Sequence, residues 1–144
     1  MTTLPAIRHS FTVAAPVDKV WEAIATSEGL AAWLMPNTFQ PVIGGRFTFQ
    51  SEPMGNWDGI VPCQLLDIKK PHRLHLHWYI NQHETTLQFE LREVKGGTEV
   101  TITHSGWENV PIEFLGLRRI MDQGWGEYAP QQLREYLAKT EKPN

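Results

Sequence analysis

The chain has 144 residues, of which 41% are hydrophobic and 20% charged, proportions that allow a well-buried core and lead us to expect one domain over residues 1–144. With 13 Lys and Arg against 16 Asp and Glu, the net charge of −3 excludes an electrostatic case for nucleic acid or an anionic membrane. The lone cysteine, Cys63, excludes an internal disulfide and any multi-cysteine metal site. No segment approaches the ~20 apolar residues of a membrane span, and Met1 to Ser10 lacks the apolar stretch of a signal peptide, so a cytoplasmic protein is expected.

Residues Ile7 to Val13 alternate, with Ile7, His9, Phe11 and Val13 on one face, the pattern of a half-buried strand. Pro16 then opens a short helix where its missing N–H costs nothing, and Val17, Val20, Trp21 and Ile24 form its apolar stripe. Thr26-Ser27 caps a second short helix, roughly Glu28 to Leu34, which presents Leu30 and Trp33. Gly44-Gly45 turns into a strand with Phe47 and Phe49 facing in. Ser51 to Asn56 reads as a loop that places Glu52 and Asp58 nearby as solvated carboxylates. Trp57 to Lys69 is a long strand with both faces partly apolar, and Pro62 suggests a bulge or an edge there. Cys63 within it reads as a buried, inert thiol.

A hairpin follows the turn at Lys69-Lys70-Pro71-His72. Leu74, Leu76, Trp78 and Ile80 share one face, as do Thr85, Leu87, Phe89 and Leu91. Matching apolar to apolar pairs Leu76 with Phe89 and Trp78 with Leu87 around a tight turn near Gln82-His83, and sets His75 opposite Glu90 and His77 opposite Gln88 in solvent. Gln82-His83 is not a favoured two-residue turn, which leaves a slip by one pair open. Gly96-Gly97 leads into a last strand, Thr98 to His104, whose apolar face carries Val100, Ile102 and His104.

From Ile112 to Lys139 the pattern is one long amphipathic helix. Its stripe runs Phe114, Leu117, Met121, Trp125, Tyr128 or Ala129, Leu133, Tyr136 or Leu137. Pro130 should kink it against the carbonyl of Gly126, and Gly124 and Gly126 let the backbone around Trp125 approach its neighbours closely. The stripe needs a cover, and only the preceding strands can supply one. The expected class is α+β: a curved antiparallel sheet of about six strands, two short helices after the first strand, and the long C-terminal helix packed inside.

The chemistry-bearing residues are sparse. His75 and His77 project from one strand face as adjacent metal ligands might, with Glu90 as a third, but a solvated face has nothing to close a coordination shell, and neither metal nor cofactor is expected. His9 and His104 each sit on an apolar face. If the first and last strands pair, they lie near each other, as satisfied core histidines or as groups that orient a ligand. No Ser or Cys stands at a spacing that suggests a nucleophile. Trp33, Phe47, Phe49, Trp57, Trp78, Phe89, Trp125 and Tyr128 form an aromatic set that either fills the core or lines a hollow.

Pro16 to Ile24 followed by Leu30-Ala31-Ala32-Trp33 resembles the opening of START-like (SRPBCC) proteins, and more narrowly the branch named after the activator of the heat-shock-protein-90 ATPase. Gly44-Gly45-Arg46-Phe47, Pro71-His72-Arg73-Leu74 leading to Trp78, Thr98 to Gly106, and Gly124-Trp125 with Leu133 and Tyr136-Leu137 match in order and spacing. The resemblance implies the helix-grip fold of birch-pollen-allergen type, whose members bind lipids, sterols, polyketides and other apolar molecules, while some are cyclases. The expected function is therefore a non-catalytic binder of a small hydrophobic or aromatic ligand, in a monomer or homodimer. Its cavity would be lined by the aromatic set with Phe11 and Met121, and oriented by His9 or His104. The alternatives are a regulatory partner of a chaperone or other protein, and a cyclase or hydratase with a cavity histidine as acid–base.

Overall fold

The computed structural model describes residues 5–53, 55, 58–114 and 116–140. In chain order the elements are β1 (Ile7–Val13), α1 (Val17–Ile24), α2 (Ser27–Trp33), β2 (Arg46–Gln50), β3 (Ile60–Lys69), β4 (Arg73–Ile80), β5 (His83–Val94), β6 (Gly97–Ser105), α3 (Gly116–Gln123) and α4 (Ala129–Thr140). The six strands form one antiparallel sheet in the order β1-β6-β5-β4-β3-β2. Hairpins join β2 through β6, and the α1–α2 pair carries the chain from one edge strand to the other. This is the α+β helix-grip arrangement expected from the sequence.

The inward faces follow the alternation. Ile7 and Val13, Phe47 and Phe49, Val61, Cys63 and Leu65, Leu74 to Ile80 at every second residue, Leu87 to Leu91, and Val100, Ile102 and His104 are all buried. Each large apolar side chain so covered contributes roughly 1.5–3 kcal/mol. Trp21 and Ile24 from α1, Leu30 and Trp33 from α2, and Trp125, Leu133 and Leu137 from the C-terminal segment close the other side of this core.

Two expectations are corrected and one alternative is resolved. The β4–β5 register is slipped by one pair: Leu74 faces Phe89, Leu76 faces Leu87 and Trp78 faces Thr85, so His75 faces Gln88 and His77 faces Thr86. The cause is the loop. Ile80 pairs with His83, which leaves Asn81-Gln82 as a two-residue turn with Asn81 at φ 56, a left-handed conformation that asparagine tolerates. In β3 the bulge lies at Leu66, between Leu65 and Asp67, while Pro62 pairs with Thr48 of β2 and lies outside the stretch bound to β4, the edge alternative of the sequence reading. The long helix is the second correction. Residues 112–114 form a separate 3₁₀ turn, and the continuous helix from Gly116 to Thr140 contains a π turn at Gly124–Tyr128.

That π turn stands immediately before Pro130. Ala129 donates its N–H back to the Gly124 carbonyl, the wider π spacing, just before the proline that has no N–H to offer Gly126. The two helices after β1 meet at Gly29, where an added Cβ would stand 2.3 Å from the Glu22 carbonyl oxygen and 2.8 Å from the Ala23 Cα. Trp33 closes the same junction by donating its Nε1–H to the Ala23 carbonyl at 2.7 Å. Gly29→Ala is expected to lower unfolding free energy in urea by about 1–3 kcal/mol, because backbone and not a movable side chain must give way. Unchanged stability would show that the helices are free to separate.

Candidate functional site

His104, near the end of β6, is fully buried on the inner face. Thr85 donates its hydroxyl hydrogen to the Trp78 carbonyl, so its oxygen can only accept from His104 Nε2–H, at 2.7 Å. Nδ1 is then the acceptor for the Trp125 indole N–H at 3.2 Å. The Trp107 indole N–H meets the His104 carbonyl oxygen at 2.9 Å, and its ring lies 4.7 Å from the imidazole. The neutral Nε2–H tautomer is thus imposed, and burial pushes the imidazole down from 6.5 to about 3. With both nitrogens engaged, His104 is a structural hinge pin for the C-terminal helix and has no free atom for proton transfer.

The rings around it form one continuous run. Centroids are 5.1 Å apart for Phe39–Phe47, 5.7 Å for Phe47–Phe49, 5.3 Å for Phe49–Trp78, 5.7 Å for Trp78–Trp125 and 6.1 Å for Trp125–Phe89, mostly edge to face. Phe47, Phe49, Trp78, Phe89, His104 and Trp125 are therefore brought together, each of them buried. Trp125 occupies the middle of the sheet's inner face.

The other expected residues lie around this cluster. His9 faces Ile102 and His104 faces Ile7, so the two histidines are diagonal neighbours and share no partner. His9 Nε2 instead meets Asp122 Oδ1 of α3 at 2.6 Å, and its ring lies where a Cβ on Gly126 would stand, 2.7 Å from Cε1. Phe11 is half-buried beneath the Arg134 guanidinium, 5.5 Å from the ring centroid. Trp33 and Tyr128 line an open groove of about 390 Å³ between α2 and α4, together with Gln131, Gln132 and Tyr136. Tyr128 is exposed and Ala129 buried, which resolves that alternative in the stripe. Met121 is half-buried against the core, and Trp57 lies outside the described residues.

α3 is the unusual element. None of its residues is buried: Leu117 is 40% exposed although it belongs to the apolar stripe, and Ile120 is 65% exposed. Its polar ties run to β1 and the residues before it: Asp122 to His9, and Arg118 Nη2 to the Pro5 carbonyl at 2.7 Å. Phe114 precedes it, half-buried, with its ring 6.0 Å from that of His83 at the tip of the β4–β5 hairpin. Phe114 and Met121, packed against the core, and Arg118 and Asp122, tied to Pro5 and His9, thus form the rim of α3.

Sequence reasoning did not single out Phe39, Thr85, Trp107, Asp122 or Arg118. Only Trp107 left a signal: a large aromatic just past the last strand, after Gly106 in the left-handed region at φ 91. His75 and His77 lie on the outer face of β4, where burial and then the Arg73 charge lower the His75 pKa. Among the described residues no group of three or more His, Cys, Asp or Glu side chains could hold a metal ion. Burial pushes the Cys63 thiol up, which keeps it unreactive. No helix among the described residues is long and apolar enough to cross a membrane.

Residues 14–138 match the family described as activator of Hsp90 ATPase homolog 1-like proteins. The chain belongs to this family. A Bacillus halodurans protein of known solution structure is 36% identical, with 95% of this chain and 99% of that one covered at a TM-score of 0.79. The Aha1 dimer of Colwellia psychrerythraea (19% identity, 96% and 100% covered, TM-score 0.79) and an Hsp90 activator from Plasmodium falciparum (17%, 92% and 96%, 0.73) share the fold. No curated protein matches the chain significantly. Within the family's fold, the His104 hub ties the C-terminal helix to β5 and β6.

The hub sets an acid limit on stability. Unfolded His104 binds a proton near its ordinary value of 6.5 while the folded protein refuses it down to about 3, so its contribution is complete above 6.5 and is lost as pH falls through that window. The full loss is about 5 kcal/mol. Urea unfolding between pH 7 and 4 should show this slope, and His104→Gln, which cannot titrate, should flatten it. An equal slope in both proteins would mean that other groups drive acid unfolding.

Proposed function

We propose that this protein is a non-catalytic binder of a small, mostly apolar ligand, held between the inner face of the sheet and the C-terminal helix, with α3 as the movable cover. The observation that carries the reading is the contrast along one helix. Trp125 onward is locked into the core, whereas α3 carries Leu117, Ile120 and Met121 and buries none of its residues. A helix that gains little from its present position needs little free energy to move, and low-stability segments are those that open for ligands. Phe114 and Met121 would meet the apolar body of the guest, the aromatic run would form the floor, and His9 would supply a polar contact at the rim.

A second reading uses the other side of α3. Ile112, Leu117 and Ile120 are exposed apolar residues close together in the chain, as in a surface that binds another protein. Membership in a family named for chaperone activation, and likeness to an Hsp90 activator, favour a chaperone as that partner. The two readings separate by experiment, because the first depends on inward residues and the second on outward ones.

N-phenyl-1-naphthylamine, an uncharged apolar probe, tests the first. It should bind saturably at one site, quench tryptophan fluorescence and raise the melting temperature by mass action. Met121→Asp should weaken it at least tenfold, whereas Leu66→Asp on the outer face of β3 and Ile120→Asp on the outer side of α3 should leave it unchanged. Non-saturable binding, or equal loss in all three variants, would remove the ligand site. Failure of Ile120→Asp alone to capture a chaperone, with probe binding intact, would support the second reading.

A further inference from the structure

Arg118 holds a charge that no acidic side chain among the described residues answers. Its Nη2 donates to the Pro5 carbonyl, but its Nε is buried with no acceptor among the described residues. The natural partner is Asp122, one turn along the same helix face, where an ion pair commonly forms. That carboxylate is instead committed to His9 at 2.6 Å, and Arg118 forms no ion pair among the described residues. The other unpartnered buried side-chain atoms differ in place and surroundings. Arg73 Nε, His75 Nε2 and His77 Nδ1 all belong to β4's outer face, where Arg73 already pairs with Asp67 at 2.7 Å and His77 stands 3.4 Å from Glu84. Arg118 is the orphan on the C-terminal helix, beside the rim formed by Met121 and Phe114.

We propose that Arg118 recognises an acidic head group, so that the ligand is an amphiphile with an apolar body and a single carboxylate. This rests on the binding site proposed above and names the chemistry of its ligand. A guanidinium is planar and presents parallel N–H groups that match the two oxygens of a carboxylate, and it keeps its charge when desolvated. The apolar body lies under α3 against Met121 and Phe114, and the head meets Nε–H at the edge. His9 acts as a positioning residue: by holding Asp122 it removes the carboxylate that would otherwise occupy Arg118 and repel the ligand. Arg119, the exposed neighbour on α3, adds positive potential without facing the rim.

The test compares decanoate with decanol, equal in chain length and different in head, by tryptophan-fluorescence titration at pH 8. Wild type is expected to bind decanoate at least tenfold more tightly than decanol. Arg118→Met, which keeps an apolar stem, should bring decanoate down to the level of decanol while decanol binding stays within twofold, a result that also shows the variant is folded. Arg119→Met should keep the preference. Equal binding of the two probes by wild type, or a preference that survives Arg118→Met, overturns the carboxylate assignment and leaves the ligand site standing. If neither decanoate nor decanol saturates and N-phenyl-1-naphthylamine also fails, the site and the assignment fall together.

Discussion

The hydrogen bond from the Trp125 indole to His104 Nδ1 is the constraint on which the closing half of the molecule depends. It is made inside an aromatic core, where an unpaired partner on either side would cost about 1–3 kcal/mol, and it can form only with the neutral imidazole. Thr85 on β5 sets the tautomer, β6 supplies the histidine, and Trp107 holds the backbone of that residue from the loop beyond. β5, β6 with the loop just beyond it, and the helix itself therefore agree on one position for the C-terminal segment. The same satisfaction that makes His104 a strong anchor removes it from chemistry.

The stretch of helix before that anchor is held less firmly, and the reason is geometric. Leu117, Met121, Trp125, Ala129, Leu133 and Leu137 are spaced by four, and each such step overshoots a helical turn by about 40°. Over the whole stripe the drift is about 200°, too much for a straight helix to keep every member on one face. The π turn at Gly124–Tyr128 adds one residue and takes back about 100° of it. The remainder appears as the exposure of Leu117 and the half-burial of Met121. α3 is thus lightly seated and tied at its β1 side by polar contacts.

Much of the fold was legible because alternation is a local property. The inward residues of β1, β2, β4, β5 and β6 follow from period two, and the burial of Trp33, Trp125, Leu133 and Leu137 follows from helical spacing. The register of β4 against β5 was not, since matching apolar side chains scores almost equally well when slipped by one pair. Asn81, able to adopt positive φ, decided it, and in doing so placed Thr85 rather than Leu87 opposite Trp78. Without that choice the Thr85 hydroxyl would lack the Trp78 carbonyl, the acceptor that leaves its oxygen free to receive His104 Nε2–H.

The candidate site divides along the same line. Residue order was enough to state that an aromatic-rich sheet would enclose a long amphipathic helix, that Cys63 would be inert, and that the family is one of helix-grip proteins, because periodicity, composition and motif spacing are written along the chain. Which polar groups meet was settled by packing. His9 with Asp122, Trp125 with His104, and Arg118 with only the Pro5 carbonyl are pairings between positions far apart in the chain, selected by the β1–β6 register and the π turn. Such pairings depend on distance in space, and a linear pattern carries no term for it.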